Sequence, residues 1–137
     1  MSSFTDAPFA IVYDDDAQWA VHYATKLIIA GFRVEETTSE SELDRLVHST
    51  PRIDLFVCDT QLGFSRNMPR GYELCCLLRD RALMPTAYVI GISSRDFSEQ
   101  WGRCNFEFFS KSPVGQEDFE ERVQEVYREI MGRRRGF

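Results

Sequence analysis

Short apolar runs that stop abruptly on polar residues constrain this fold more than any other feature of the chain. Residues 9–13 end in Asp14-Asp15-Asp16, residues 53–58 in Asp59, and residues 86–92 in Ser93-Ser94. An aromatic run, 106–110, gives way to Lys111-Ser112-Pro113. Continuous apolar runs of this length, without polar alternation, predict strands buried on both faces. Between them the apolar period lengthens. Ala17, Ala20, Val21, Ala24, Leu27 and Ile28 predict a helix over 17–30, with Gly31 as its stop. Residues 32–35 read as a weaker strand. Ser39 with Glu42 has the pattern of a capping box for a helix to about residue 48, closed by Pro51.

The second half continues the alternation. Gly71 leads into a helix with Leu74, Cys75, Leu77 and Leu78 inward, a short helix occupies 96–103, and Lys111-Ser112-Pro113 ends the fifth strand. The last helix is expected over 116–131, with Phe119, Val123, Val126, Tyr127 and Ile130 on one stripe. Strands alternating with helices throughout 137 residues predict one α/β domain, a five-stranded open parallel sheet with helices on both faces.

In such sheets ligands bind beyond the carboxyl ends of the strands. Asp14, Asp15, Asp59, Ser93 and Lys111 all fall at those ends. Crowded carboxylates repel one another unless a cation joins them, and oxygen donors suit a hard divalent ion such as Mg²⁺. A hydroxyl and an ammonium group suit a phosphoryl group, toward which one carboxylate can act as nucleophile.

The segments 11–16, 54–59, 71–74, 89–94 and 108–111 together resemble the response-regulator receiver family of two-component signalling. The resemblance covers residues 9–131, leaving 1–8 as an N-terminal extension and 132–137 as a basic tail. It implies a flavodoxin-like fold with strand order 2-1-3-4-5. It further implies Asp59 as phosphoacceptor, fed by a histidine kinase or phosphotransfer protein. Mg²⁺ would be held by Asp14, Asp15, Asp59 and the backbone carbonyl of Gln61. Lys111 would bind phosphate, Ser93 would be the switch hydroxyl, and Phe108 the aromatic that changes rotamer. Such a domain is a signalling protein rather than an enzyme, catalysing only its own phosphoryl uptake and hydrolysis. Its output is a changed affinity for a downstream protein, and a homodimer stays open.

Three departures stand out. The segment 63–70, beside the phosphoacceptor, is longer than the family's usual loop. The segment between Ser93 and Lys111 is shorter, curtailing the fourth helix and with it the usual dimer face. Ser112 intervenes between Lys111 and Pro113, so the family's common cis X-Pro bond cannot directly follow the lysine.

A formal charge of −6 argues against general affinity for nucleic acid or an anionic membrane. Arg133-Arg134-Arg135 reads as a short solubilising tail. No segment approaches the length of a membrane span, and no signal peptide opens the sequence. Four cysteines without a C-x-x-C pair suggest reduced thiols in a cytoplasmic protein; of Cys75 and Cys76, one is expected to be accessible. Trp19 is expected to pack in the core or at its edge, and Trp101, on the shortened helix, is a candidate for a partner surface. His22 and His48 read as helix-surface residues.

Two alternatives remain at this level. A haloacid-dehalogenase-type phosphatase also uses Asp, Ser/Thr, Lys and Mg²⁺, and Asp14-x-Asp16 imitates its nucleophile motif. It lacks here the expected acid pair at a strand end after Lys111. A pseudo-receiver, binding a partner without phosphorylation, is the other.

Overall fold

The computed structural model describes residues 7–62 and 70–134. Ten elements alternate strictly: β1 (Phe9–Tyr13), α1 (Ala17–Ala30), β2 (Arg33–Thr37), α2 (Glu40–Ser49), β3 (Leu55–Asp59), α3 (Arg70–Asp80), β4 (Tyr88–Ser93), α4 (Ser98–Arg103), β5 (Glu107–Ser110) and α5 (Pro113–Arg134). The strands form one parallel sheet in the order β2-β1-β3-β4-β5, as the resemblance implies.

Every side chain of β1 and β3 is buried, because both strands lie between two helical layers. Pleating then sorts the residues by parity. Ile11, Tyr13, Phe56 and Cys58 pack with Leu43 and Val47 of α2, Leu74, Cys75 and Leu78 of α3, and Trp101 of α4. Ala10, Val12, Leu55 and Val57 face Tyr23 and Leu27 of α1 and Phe119, Val123 and Val126 of α5. β2, at one edge, carries Arg33, Glu35 and Glu36 exposed, charges that oppose pairing with another strand.

Local chemistry sets the helix ends. Asp16 caps α1 by accepting the N–H of Gln18 at 2.9 Å. Gly31 ends it at φ 117°, and its neighbour Phe32 donates back to the Leu27 carbonyl. At α2 only half of the expected box forms. Ser39 Oγ accepts from the Glu42 N–H, but the Ser39 N–H donates to Thr37 Oγ1 instead of to Glu42.

Two expectations near the C-terminus are corrected. α5 begins at Pro113 rather than near residue 116: Ser112 caps it, its hydroxyl accepting the Gly115 N–H at 3.1 Å, and Pro113 fills the first helical position. The helix also runs past residue 131. Arg133 and Arg134 belong to its last turn, where Arg134 Nη2 lies 2.8 Å from the buried carboxylate of Asp54, so this part of the expected tail is structural. Residues 63–69 of the enlarged loop, residues 1–6 and residues 135–137 lie outside the described residues.

Candidate functional site

The carboxyl ends of β1, β3, β4 and β5 meet at one edge and hold a cleft of about 210 Å³ lined by Asp14, Asp15, Asp16, Trp19, Asp59, Gln61, Ser94 and Lys111. Asp14 directly follows β1 and is fully buried. Its Oδ1 accepts the Asp16 N–H at 2.9 Å and its Oδ2 accepts Lys111 Nζ at 2.8 Å. Asp59, the last residue of β3, is 5% exposed and accepts the Thr60 N–H at 3.0 Å and Lys111 Nζ at 3.3 Å. Lys111, 97 positions from Asp14, thus bridges the two buried carboxylates.

Asp15 is exposed, yet Asp14, Asp15 and Asp59 each offer an oxygen within 4.8 Å of the others. Three carboxylates against one ammonium leave an excess of negative charge, which fits a hard divalent cation. The titration behaviour agrees. Burial, followed by the negative charge of Asp14, pushes Asp59 up to about 7, although Lys111 opposes both. Burial also raises Asp14, against the hydrogen bond and charge of Lys111. Gln61, whose carbonyl the resemblance assigns to the ion, lines the same cleft.

Ser93 ends β4 and is 1% exposed. Its hydroxyl accepts the Arg95 N–H at 3.1 Å and points toward Gln61 Oε1 at 3.5 Å, while Ser94 lines the cleft itself. Phe108 sits beside Gly91 in the register of β4 and β5, half-buried against the layer that contains Trp101.

Backbone placement depends on two close approaches. The Gly71 N–H donates to the Thr60 carbonyl at 2.8 Å, and a β-carbon on Gly71 would collide with the carbonyl oxygen of Asp59. Only glycine lets α3 begin so near the strand end. The Lys111 N–H donates to the Ser93 carbonyl at 2.8 Å, which sets the lysine and the hydroxyl strand in fixed relation.

Sequence reasoning missed three contributors. Trp19 lines the cleft and offers its ring to Lys111 Nζ at 4.9 Å from the centroid. The signal was its position in the first turn after the Asp16 cap. Thr60 sits one residue beyond Asp59, fully buried, and donates from Oγ1 to the Ile92 carbonyl at 3.0 Å. Trp101 is not at a partner surface. It is fully buried, lies flat where a β-carbon of Gly91 would be, and donates from Nε1 to Thr60 Oγ1. Its helix is short, as expected, but the large ring turns inward.

No protein-family model matches the sequence, and no curated protein matches it. Solved structures do. A response regulator from Thermotoga maritima superposes with a TM-score of 0.70 at 19% identity, covering 88% of this chain and 98% of that one. A CheY-like receiver domain protein from Methanospirillum hungatei gives 0.71 at 20% identity, covering 93% and 98%. A response regulator from Burkholderia pseudomallei, determined with a phosphorylated aspartic acid and a calcium ion, gives 0.69 at 20% identity, covering 93% of this chain and 72% of that one. At such identities the likeness is one of fold: this chain folds as response-regulator receiver domains do.

Proposed function

We propose that the chain is a phosphorylation-controlled signalling receiver. The observation that carries this reading is Lys111 Nζ between the buried carboxylates of Asp14 and Asp59, with Asp15 close by. Asp59 is the phosphoacceptor: a carboxylate oxygen attacks phosphorus and the bond to the donor breaks, as in acyl-phosphate chemistry generally. A histidine kinase or phosphotransfer protein supplies the phosphoryl group in this reading. Asp14, Asp15, Asp59 and the Gln61 carbonyl would hold Mg²⁺, which when bound supplies positive charge opposite the phosphoryl oxygens. Lys111 adds a second positive charge from the β5 side.

The raised affinity of Asp59 for a proton supports the metal requirement. A carboxyl that burial and the Asp14 charge make hold its proton more tightly is a poorer nucleophile without a cation. A cation among the three carboxylates favours the ionised form. The chain catalyses only its own phosphoryl uptake and hydrolysis, and its product is a surface that a downstream protein reads. Among the described residues no helix is long and apolar enough to cross a membrane, and four free cysteines support a cytoplasmic location.

Intact mass measured after incubation with acetyl phosphate or phosphoramidate plus Mg²⁺ tests the proposal. One hydroxylamine-labile phosphoryl group is expected on the wild type and none on Asp59→Asn. Uptake that survives in Asp59→Asn, or a hydroxylamine-stable phosphoserine, overturns it.

A further inference from the structure

Outside the acidic cleft a second cluster of reactive side chains lies where α3 meets the end of α4. Cys75 and Cys76 are adjacent on α3 but differ in setting. Cys75 is 1% exposed in the core, whereas Cys76 is half-buried at the surface. Cys76 Sγ lies 3.5 Å from the Sγ of Cys104, which follows the last residue of α4 and is also half-buried. Tyr72, one turn before Cys76, brings its hydroxyl to 3.0 Å from the same Cys104 sulfur. Arg79, on the same helix face as Tyr72 and Cys76, donates from Nη1 to the Cys104 carbonyl at 2.8 Å and spreads its guanidinium over Phe106. Three residues of α3 therefore hold one cysteine in place.

The surroundings give the two sulfurs different chemistry. The Tyr72 hydroxyl, then the Cys76 thiol and Arg79, hold the Cys104 thiol below its ordinary range. Burial, then the hydrogen bond to Cys104, pushes Cys76 up. Cys104 is thus the nucleophile of the pair, and Cys76 stands within contact distance to resolve whatever forms on it.

We propose that Cys104 and Cys76 form a redox-responsive pair that a peroxide converts to an intramolecular disulfide, stapling α3 to the turn between α4 and β5. The Cys104 thiolate attacks one peroxide oxygen. The O–O bond breaks, and the departing hydroxide takes up the proton lost from the thiol, giving water and a sulfenic acid. The Cys76 sulfur then attacks the Cys104 sulfur, the S–O bond breaks, and hydroxide leaves with the Cys76 proton as a second water. Two electrons pass from the sulfurs to the peroxide, and two thiols become one disulfide. The sulfurs must close from 3.5 Å to about 2.05 Å. Cys104 lies in the turn between the six-residue α4 and β5, next to Asn105 at φ 61°. The proposal is independent of phosphorylation.

Reduced full-length protein treated with hydrogen peroxide at neutral pH, then digested with trypsin without reduction, tests it. The wild type is expected to lose two of its four thiols, to lose two hydrogen atoms in intact mass, and to yield the 71–79 peptide linked to the 104–111 peptide. Dithiothreitol should restore both peptides. Cys75→Ser should keep the link, since Cys75 faces the core. Cys76→Ser should stop at a sulfenic acid on Cys104 that dimedone traps. Retention of all four thiols in the wild type, a link only between separate chains, or persistence of the link to the 71–79 peptide in Cys76→Ser overturns the proposal.

Discussion

Trp101 Nε1 donates a 2.8 Å hydrogen bond to Thr60 Oγ1, and Thr60 is the residue that follows the proposed phosphoacceptor. The same Thr60 hydroxyl donates onward to the Ile92 carbonyl, next to Ser93. A buried indole on α4 is therefore wired to the carboxyl ends of both β3 and β4. Thr60→Val keeps the shape and strands the indole N–H, at a cost of about 1–3 kcal/mol by the usual penalty for a buried unsatisfied donor. Trp101→Phe removes the donor together with part of the core. Urea unfolding of both single variants and the double variant should show that the two changes are not additive. Strict additivity would mean that the bond carries no energy.

Divalent-free protein should lose stability as pH rises. Asp59 has an ordinary value of 3.8 and stands at about 7 when folded. Between those values the folded state keeps a proton that the unfolded chain has released, so the contribution of this group to stability falls with increasing pH. The raised Asp14 acts in the same direction. Urea midpoints measured at intervals from pH 5 to pH 8 should decline, and the decline should be shallower in Asp59→Asn. An equal decline in that variant would show that Asp59 is not the titrating group. Mg²⁺ should restore stability most at the upper end of the range.

Gly71→Ala forces a β-carbon into the Asp59 carbonyl. Overpacking of this kind costs about 1–3 kcal/mol, and here the obstacle is backbone that must itself move. The expected result is a destabilised protein with reduced phosphoryl uptake, because the displaced backbone belongs to the acceptor. Unfolding and intact-mass labelling on the same sample check both. Wild-type values for each would show that α3 shifts freely.

Ser93→Ala addresses the proposed switch. Contacts from phosphoryl oxygens to the Ser93 hydroxyl and the Lys111 ammonium are each worth about 1.5–3 kcal/mol. A swing from 1:99 to 99:1 needs about 5.5 kcal/mol. Losing one contact should leave phosphorylation of Asp59 intact while removing most of the accompanying spectral change at Phe108 and Trp101. A complete wild-type change in this variant would exclude the hydroxyl as switch.

Where polar punctuation is sharp, the sequence reads well. The bounds of β1 and α1 follow from the apolar run before Asp14, the Asp16 cap and Gly31. The carboxylates and Lys111 were legible because parallel strands must bring their carboxyl ends together. Thr60 and Ser94 were hidden beside more conspicuous neighbours, and only tertiary placement distinguishes Ser94, in the cleft, from Ser93, beneath it. The place of Trp101 stayed open because a short polar helix gives no periodicity from which to infer which way its one large ring turns. The extension of α5 to Arg134 was missed for a different reason. The apolar stripe stops at Ile130, but the last turn is held by charge, through Arg134 and Asp54, which hydrophobic periodicity does not register.

That last turn gives α5 a mechanical character. At one tip Ser112 caps it and Gln116 Nε2 grips the Lys111 carbonyl; at the other Arg134 is fastened to Asp54, just ahead of β3. Its 22 residues make a rod of about 33 Å at the standard rise, reaching from the acidic edge of the sheet to the opposite one. A rod fastened at both tips, with Phe119, Val123, Val126 and Ile130 buried between them, is held along its whole length and ties the acidic edge of the sheet to the far one.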